Sequence, residues 1–241
     1  MKLSTVLASV NNNPDYYLFI PKQILFWRHF GINFVAVFVG EKIPEELIPY
    51  QEHIILWNDN LDLNSAYVAQ NIRMYYTALI DLPADEMVMI TDMDMLPMRA
   101  SYFTEGLDQF NRDDFIYYRH VDYNQIYMCY NAAHPQLWGK LFGIANHVDV
   151  KNKIAENYCA HYNGIPGSTG WFTDQLIMYQ RLIHYPQLKV LNRPLKRLDV
   201  DVYEKHFNHG DTNFIKDYDD GHFHRSFYRN AAYIADAEKQ L

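Results

Sequence analysis

The stretch Val88-Met89-Ile90-Thr91-Asp92-Met93-Asp94 decides the fold prediction, because it joins an apolar run to two closely spaced carboxylates. The nearly continuous apolar run from Glu86 to Thr91 is typical of a strand that helices cover on both faces. Ligand sites in open α/β sheets lie at the carboxyl ends of such strands. Two aspartates one residue apart can hold a hard divalent cation, so Asp92 and Asp94 are predicted ligands of Mn²⁺ or Mg²⁺. A solvated acidic turn is the alternative interpretation.

Strand and helix patterns alternate on the N-terminal side of this stretch. Apolar runs predict three further strands, at Leu3 to Val10, Asn33 to Val39 and His53 to Trp57. Helical patterns lie between them, at about residues 15–30, at residues 40–50 and in a helix capped by Asn64 or Ser65. This alternation predicts an α/β domain with a mostly parallel central sheet and helices on both faces.

The second half of the chain has a less regular pattern. It predicts strands at Phe115 to Arg119 and Tyr127 to Asn131, and helices at Pro135 to Phe142, Thr173 to Ile183 and Arg229 to Leu241. The glycine-rich residues 164–170 predict a loop. No stretch has the composition of a long linker, so we expect a single domain over residues 1–241.

The composition excludes several classes of protein. Lysine and arginine number 21 against 29 aspartates and glutamates, a formal net charge of −8, so we expect no nucleic-acid partner. No apolar run approaches the roughly 18 residues that cross a bilayer, so no transmembrane segment is expected. The two cysteines, Cys129 and Cys159, are too few for a disulfide framework, which favours a reducing, cytoplasmic location. The oligomeric state is not readable from the sequence.

The motifs around Asp92 resemble those of a known family. A D-x-D motif after a hydrophobic strand resembles the nucleotide-sugar glycosyltransferases of the GT-A fold. Arg73 precedes Asp92 by 19 residues, which is similar to the pattern of glycosyltransferase family 8. Three later segments also resemble that family: Tyr130-Asn131-Ala132, Trp171-Phe172-Thr173-Asp174-Gln175 and Asp220-Gly221-His222-Phe223-His224-Arg225.

This resemblance implies a GT-A-like domain that transfers a sugar from a nucleoside-diphosphate sugar, of UDP or GDP type, to a glycan or other hydroxyl acceptor. Residues 1–94 would form the nucleotide-sugar-binding half and residues 95–241 the acceptor-binding half. The expected catalytic residues are Asp174 and Gln175. The expected donor contacts are Val10, Asn11, Arg73, Asp92, Met93, Asn131, Ala132, Lys216 and Arg225. The expected metal ligands are Asp92, Asp94 and either His222 or His224, two side chains that we expect to diverge so that only one reaches the ion.

Each of these residues also has an ordinary structural interpretation. Arg73 could lie over the core through its apolar stem, Asn131 could satisfy backbone at a strand end, and Asp174 could cap a helix. Two other functions remain open at this stage. One is a phosphohydrolase of the haloacid dehalogenase type, with Asp92 as nucleophile and Asp211, Asp219 or Asp220 as distal acids. The other is a glycan-binding module without turnover.

Overall fold

A seven-stranded sheet forms the centre of the protein, as seen in a computed structural model that describes residues 1–59, 62–207, 213–224 and 226–241. Its strands are β1 (Lys2–Asn11), β2 (Asn33–Val39), β3 (Ile54–Trp57), β4 (Glu86–Ile90), β6 (Phe115–Tyr117), β7 (Asn131–Ala133) and β8 (Leu188–Val190). They lie in the order β3-β2-β1-β4-β7-β6-β8. Within this sheet only β7 runs antiparallel to its neighbours, β4 and β6. The predicted, mostly parallel sheet is therefore confirmed.

Helices cover both faces of this sheet. They are α1 (Pro14–Tyr17), α2 (Ile20–His29), α3 (Ser65–Tyr76), α4 (Ala100–Thr104), α5 (Pro135–Phe142), α6 (His147–Glu156), α7 (Thr173–Leu182), α8 (Val200–Phe207) and α9 (Phe227–Glu238). Short 3₁₀ helices span Glu45–His53, Thr77–Leu79, Leu107–Gln109 and Asn213–Asp217. In the described part of the chain no helix is long and apolar enough to cross a membrane.

The core has two layers because successive residues of a strand face opposite sides of the sheet. On β1, Val6 belongs to the cluster that also contains Trp27 of α2. Its neighbour Leu7 belongs to the second cluster, with Ile72 of α3 and Trp138 of α5. β1 is therefore buried on both faces, which is the environment that its apolar run predicts.

Several local predictions are confirmed and two need correction. Asn64 caps α3 through its side chain, as expected. The helix predicted for residues 15–30 is instead two helices, α1 and α2, and Pro21 lies in the first turn of α2, where its missing N–H costs nothing. The strand predicted at Tyr127 to Asn131 is also wrong, because Tyr130 has a left-handed φ of 67° and β7 begins only at Asn131.

A second, three-stranded sheet brings the C-terminal part of the chain to the end of β4. It consists of β5 (Met95–Pro97), β10 (Asp220–His222) and β9 (Arg197–Asp199), with β10 in the middle. β10 pairs antiparallel with β5, and His222 lies opposite Met95. Strands of three residues carry little periodic signal, and the sequence did not predict β5, β9 or β10 as strands.

A buried ion pair fixes this small sheet. The Nε of Arg197 lies 3.0 and 3.1 Å from the two carboxylate oxygens of Asp220, and its Nη2 lies 2.5 Å from Oδ2. The Tyr130 hydroxyl donates to the same carboxylate at 2.6 Å. Asp220 is fully buried. Removing one charge of such a pair leaves the other uncompensated in the interior.

We therefore expect Asp220→Asn to lower the free energy of unfolding by about 3–5 kcal/mol. Urea denaturation monitored by circular dichroism measures this change. The matched control is Asp59→Asn, which removes an exposed partner of Lys151 and should cost less than about 1 kcal/mol. Equal losses in the two variants would contradict the role assigned to the buried pair.

Candidate active site

A cavity of about 520 Å³ opens at the carboxyl ends of β1 and β4. Elements from the whole chain line it, including the end of β1, the turn after β4 and the start of α7. The predicted site residues that line it are Val10, Asn11, Arg73, Asp92, Met93, Asp94, Asp174, Gln175 and His222. The fold thus brings most of the predicted site together, at the edge of the sheet where ligand sites of α/β proteins lie.

Arg73 of α3 joins two of the cavity carboxylates. Its Nη1 forms an ion pair with Asp92 and donates to the carbonyl oxygen of Thr91 at 2.9 Å. Its Nη2 lies 3.5 Å from Oδ2 of Asp174. Burial opposes the charge of Arg73, but the two carboxylates raise its pKa above the ordinary value. The guanidinium therefore faces charged groups of the cavity. Packing of the apolar stem of Arg73 over the core does not by itself explain this position.

The two carboxylates beside Arg73 have opposite electrostatic environments. Burial disfavours the charge of Asp92, but Arg73 outweighs this effect and lowers the pKa of Asp92. Asp174 is more deeply enclosed, with 1% of its side chain exposed, and burial raises its pKa to about 6. A neighbouring pair of carboxyl groups with diverging pKa values is a common feature of catalytic sites.

Asp174 lies in the first turn of α7, where its Oδ1 accepts a hydrogen bond from the backbone N–H of Gln175 at 2.8 Å. Gln70 donates to the same oxygen at 3.3 Å. The N-cap of α7 is Phe172, so the interpretation of Asp174 as the cap is wrong, although Asp174 satisfies one helix N–H and also faces the cavity. Beside it, the buried Oε1 of Gln175 has no hydrogen-bond partner among the described residues.

Asp94 and His222 are two potential metal ligands of the cavity whose side chains lie close together. The Oδ2 of Asp94 lies 3.7 Å from Nε2 of His222, whose Nδ1 lies 3.4 Å from Asp199. Burial disfavours protonation of His222, but Asp94 reverses this effect and raises its pKa. The rings of His222 and His224 lie 5.1 Å apart, so the expectation that the two side chains diverge is wrong. Residues two apart in an extended chain face the same side.

The donor atoms of this pair suit a hard or borderline divalent ion. Carboxylate oxygens bind Mg²⁺ and Mn²⁺, and an imidazole is a suitable further ligand for Mn²⁺. Among residues 1–59, 62–207, 213–224 and 226–241, however, no three histidine, cysteine, aspartate or glutamate side chains are grouped closely enough to hold an ion. Asp92, the third expected ligand, is engaged with Arg73.

A buried glutamine holds the backbone of the D-x-D segment. The Nε2 of Gln23, on α2, donates to the carbonyl oxygens of Met93 and Met95, at 2.8 Å each. Trp27, one turn later on α2, donates to Oε1 of Gln23 at 2.9 Å. These hydrogen bonds from Gln23 fix the turn that carries Asp92 and Asp94. The sequence pattern did not predict them.

Three of the predicted donor contacts do not line the cavity. Asn131 is fully buried and donates to the carbonyl oxygens of Tyr127 and Met128, so it holds backbone as its structural interpretation predicts. Ala132 belongs to the core. Lys216, on the 3₁₀ helix Asn213–Asp217, lines a separate small cavity together with Phe26 and Leu241. Arg225 lies outside the described residues.

The cavity is also lined by residues outside the predicted catalytic, donor and metal sets: Gln70, Arg119, Tyr127, Cys129, Tyr162, Trp171 and Arg197. Tyr162 donates to Gln70 at 3.1 Å, and its ring is parallel to that of Trp171, with centroids 6.5 Å apart. The sequence signals for an acceptor region here are the tyrosine-rich segment 117–123, in a chain with 20 tyrosines, and the glycine-rich loop at residues 164–170. Periodicity does not mark the set, because of these residues only Gln70, on α3, and Arg197, on β9, lie in a helix or a strand.

Comparison with known proteins supports the fold assignment. No family model and no curated protein matches the chain. Among solved structures, the chain is similar to an active-site mutant of LgtC, with a TM-score of 0.50 and 10% identity over 98% of this chain and 96% of that one. For a complex of the galactosyltransferase LgtC with donor and acceptor sugar analogs, the TM-score is 0.47 and the identity 9%, over 98% of this chain and 96% of that one. For the glycosyltransferase GlyE of Streptococcus pneumoniae TIGR4, the TM-score is 0.49 and the identity 13%, over 92% of this chain and 55% of GlyE.

At such identities the likeness to the LgtC mutant concerns the fold alone. It agrees with the sheet order and the helices described above. The predicted fold class, a single GT-A-like α/β domain with a mostly parallel central sheet, is therefore confirmed.

The raised pKa of Asp174 predicts a pH-dependent effect on stability. Its pKa of about 6 in the folded protein exceeds the value of about 3.9 of an unfolded chain, so folding favours the protonated form. This stabilisation is complete below about pH 4 and is lost as the pH rises through 6. We expect the melting temperature of Asp174→Asn, which is neutral at every pH, minus that of wild type to be higher at pH 7.5 than at pH 4.5.

Differential scanning fluorimetry at the two pH values measures this difference. Asp85→Asn, at an exposed carboxylate just before β4, is the control and should shift the melting temperature equally little at both. The same shift for Asp174→Asn at pH 4.5 and 7.5 would show that its ionisation is not penalised by burial.

Proposed function

We propose that the protein is a metal-dependent glycosyltransferase that moves a sugar from a nucleoside-diphosphate sugar to a glycan or other hydroxyl acceptor. One observation carries this proposal. The D-x-D carboxylates, the guanidinium of Arg73, the carboxyl of Asp174 and the imidazole of His222 all line one cavity at the carboxyl ends of the strands. The cavity volume of about 520 Å³ falls within the range typical of small-molecule sites.

The nucleoside end of the donor is assigned to the end of β1. Val10 and Asn11 line the cavity there, and Asn11 donates to the hydroxyl of Ser65, at the start of α3, at 3.2 Å. β4 is the next strand in the sheet, so Asp92 and Asp94 lie about one strand spacing, roughly 5 Å, to the side. A donor of UDP or GDP type placed along this edge would have its nucleoside on β1 and its diphosphate beside the D-x-D segment.

Asp94 and His222 would hold the metal ion, whereas Asp92 pairs with Arg73 and is not grouped with them as a third ligand among the described residues. A bound Mn²⁺ or Mg²⁺ would neutralise the charge that accumulates on the departing diphosphate. Arg73 holds Asp92 in its charged form and in a fixed position. Asp199 contacts Nδ1 of His222 and so orients Nε2 towards Asp94.

Asp174 and Gln175 are assigned to the sugar end of the donor. Glycosyl transfer makes the anomeric carbon electron-deficient, and a nearby carboxylate or amide oxygen stabilises such a centre. The unpartnered Oε1 of Gln175 is available for this contact. Asp174, with a pKa of about 6, can accept a proton near neutral pH. The residues assigned to the donor come from both halves of the chain, so the cavity is built across the boundary predicted at residue 94.

The structure offers no support for the phosphohydrolase alternative. Its nucleophile would be Asp92, but that carboxylate is ion-paired with Arg73. Its distal acids Asp219 and Asp220 are buried in ion pairs with Arg99 and Arg197. Asp211 lies outside the described residues. A non-catalytic glycan-binding module has no need for paired carboxylates beside a histidine.

A thermal-shift screen tests the proposed function. UDP, GDP, CDP and ADP are each added with and without Mn²⁺ to wild type, to Asp94→Ala and to the control Asp85→Ala, which removes an exposed carboxylate at the opposite end of β4. A ligand at 100 times its dissociation constant adds about 2.7 kcal/mol to the free energy of unfolding, which raises the melting temperature by several degrees. We expect one diphosphate to do this only with Mn²⁺, in wild type and in Asp85→Ala but not in Asp94→Ala.

The opposite result is a folded wild type that none of the four diphosphates stabilises. The nucleotide-sugar proposal would then be wrong. Stabilisation that persists without Mn²⁺ and in Asp94→Ala would contradict the metal dependence alone.

A further inference from the structure

The charged side chains that line the cavity pair with one another or with a buried neighbour, with a single exception among the described residues. Arg73 pairs with Asp92 and Asp174, Arg197 pairs with Asp220, and His222 contacts Asp94. Arg119 also lines the cavity, but no described carboxylate lies within 4 Å of its guanidinium. The cavity therefore presents one cation whose charge the described protein groups leave uncompensated.

The neighbours of Arg119 position its guanidinium without neutralising it. Its Nη1 lies 3.4 Å from Sγ of Cys129, and its Cζ lies 4.7 Å from the centroid of the Tyr127 ring. Burial raises the pKa of the Cys129 thiol, which therefore carries no charge near neutral pH. The Tyr127 hydroxyl donates to Asp122 at 3.0 Å and so fixes the ring under the guanidinium.

A half-buried cation without a counter-ion is unfavourable unless a ligand supplies the opposite charge. The planar guanidinium has parallel N–H groups that match the oxygens of a carboxylate, phosphate or sulfate. Arg197 is near enough to Arg119 to oppose its charge, although Asp220 offsets part of this repulsion. An anion at Arg119 would therefore pair with that guanidinium and weaken its repulsion by Arg197.

The position of Arg119 indicates which substrate carries this anion. Arg119 follows β6, which is separated from β4 by β7 and from β1 by two strands. At the usual strand spacing the backbone of Arg119 lies roughly 10 Å from that of β4, on the side away from Val10 and Asn11. The segment after Arg119 reaches the start of α7, where the N–H of Ile126 donates to the carbonyl oxygen of Gln175 at 3.4 Å. Arg119 is thus on the sugar side of the cavity.

We propose that Arg119 binds an acidic group of the acceptor, so that the acceptor is a saccharide carrying a carboxylate, a phosphate or a sulfate. This inference rests on the proposed function and narrows its acceptor class. Tyr127 and Cys129 hold the guanidinium in place before the acceptor binds, which reduces the entropy lost on binding.

Saturation-transfer NMR at low salt tests the inference with D-glucuronate, D-glucose 6-phosphate and D-glucose 6-sulfate, each compared with D-glucose. The proteins are wild type, Arg119→Gln, Arg119→Lys and Arg112→Gln, an exposed arginine outside the cavity whose loss changes the net charge equally. Because a charge-assisted, bidentate contact is lost, we expect about a tenfold preference for at least one acidic sugar in wild type and Arg112→Gln, absent in Arg119→Gln. Arg119→Lys should retain part of it.

A second experiment determines whether the acidic group that Arg119 binds belongs to the acceptor or to the sugar of the donor. Calorimetry compares UDP-glucuronate with UDP-glucose, and we expect no preference that depends on Arg119. An Arg119-dependent preference for UDP-glucuronate would overturn the assignment to the acceptor. Equal binding of acidic and neutral sugars, or a preference that survives in Arg119→Gln with the fold intact by circular dichroism, would overturn the anion site itself.

Failure of this inference is distinguishable from failure of the proposed function. Manganese-dependent diphosphate binding that Asp94→Ala abolishes, without any Arg119-dependent preference, contradicts only the acidic acceptor. Absence of diphosphate binding contradicts the glycosyltransferase proposal and, with it, the description of the bound acid as an acceptor.

Discussion

The contact of Arg73 with Asp92 and Asp174 is the interaction on which the arrangement of the site depends. It joins α3, the turn after β4 and the start of α7, three elements that are distant in sequence. A buried guanidinium is tolerated only when carboxylates or carbonyl groups satisfy it, and here two carboxylates and the carbonyl oxygen of Thr91 do so. The same contact holds Asp92 beside the cavity, while Asp94, two residues later, is left to face His222.

The arginine also gives the two carboxyl groups different chemical properties. It lies close to Asp92 and lowers its pKa, whereas the deeper burial of Asp174 outweighs the more distant guanidinium and raises its pKa to about 6. One group therefore remains an anion throughout the physiological pH range, and the other can exchange a proton within it. Under the proposed function, the permanent anion would lie at the diphosphate end, where a divalent ion offsets the negative charge, and the group that titrates would lie near the reacting hydroxyl group.

The sequence predicted those parts of the fold that depend on local pattern. The apolar runs of β1 to β4 and the cap at Asn64 are local signals, and they were sufficient to place Asp92, Asp94 and Asn11 at one edge of the sheet. The small sheet depends instead on long-range pairing of three-residue strands and on the buried contact of Arg197 with Asp220. No local pattern reports such contacts.

The candidate site likewise contains residues that the sequence predicted and residues that only the structure identifies. Arg73, Asp174, Gln175 and His222 were expected through a family resemblance, and the structure brings all four to the cavity. Asn131 was expected as a donor contact on the same basis, but the left-handed turn at Tyr130 turns it to the backbone of Tyr127. That irregular segment also carries Cys129, which contacts Arg119. No local sequence pattern predicts such a contact, so only the structure identifies Arg119 as a cation without a described carboxylate partner.

A crystal structure of the protein with a nucleoside diphosphate and Mn²⁺ tests the central claim most directly. We predict electron density for the ion at Asp94 and His222, for the diphosphate beside the ion in the same cavity, and for the nucleoside along Val10 and Asn11. Density for the nucleotide in a different cavity, such as the one lined by Ile24, Arg28 and His53, would contradict the account.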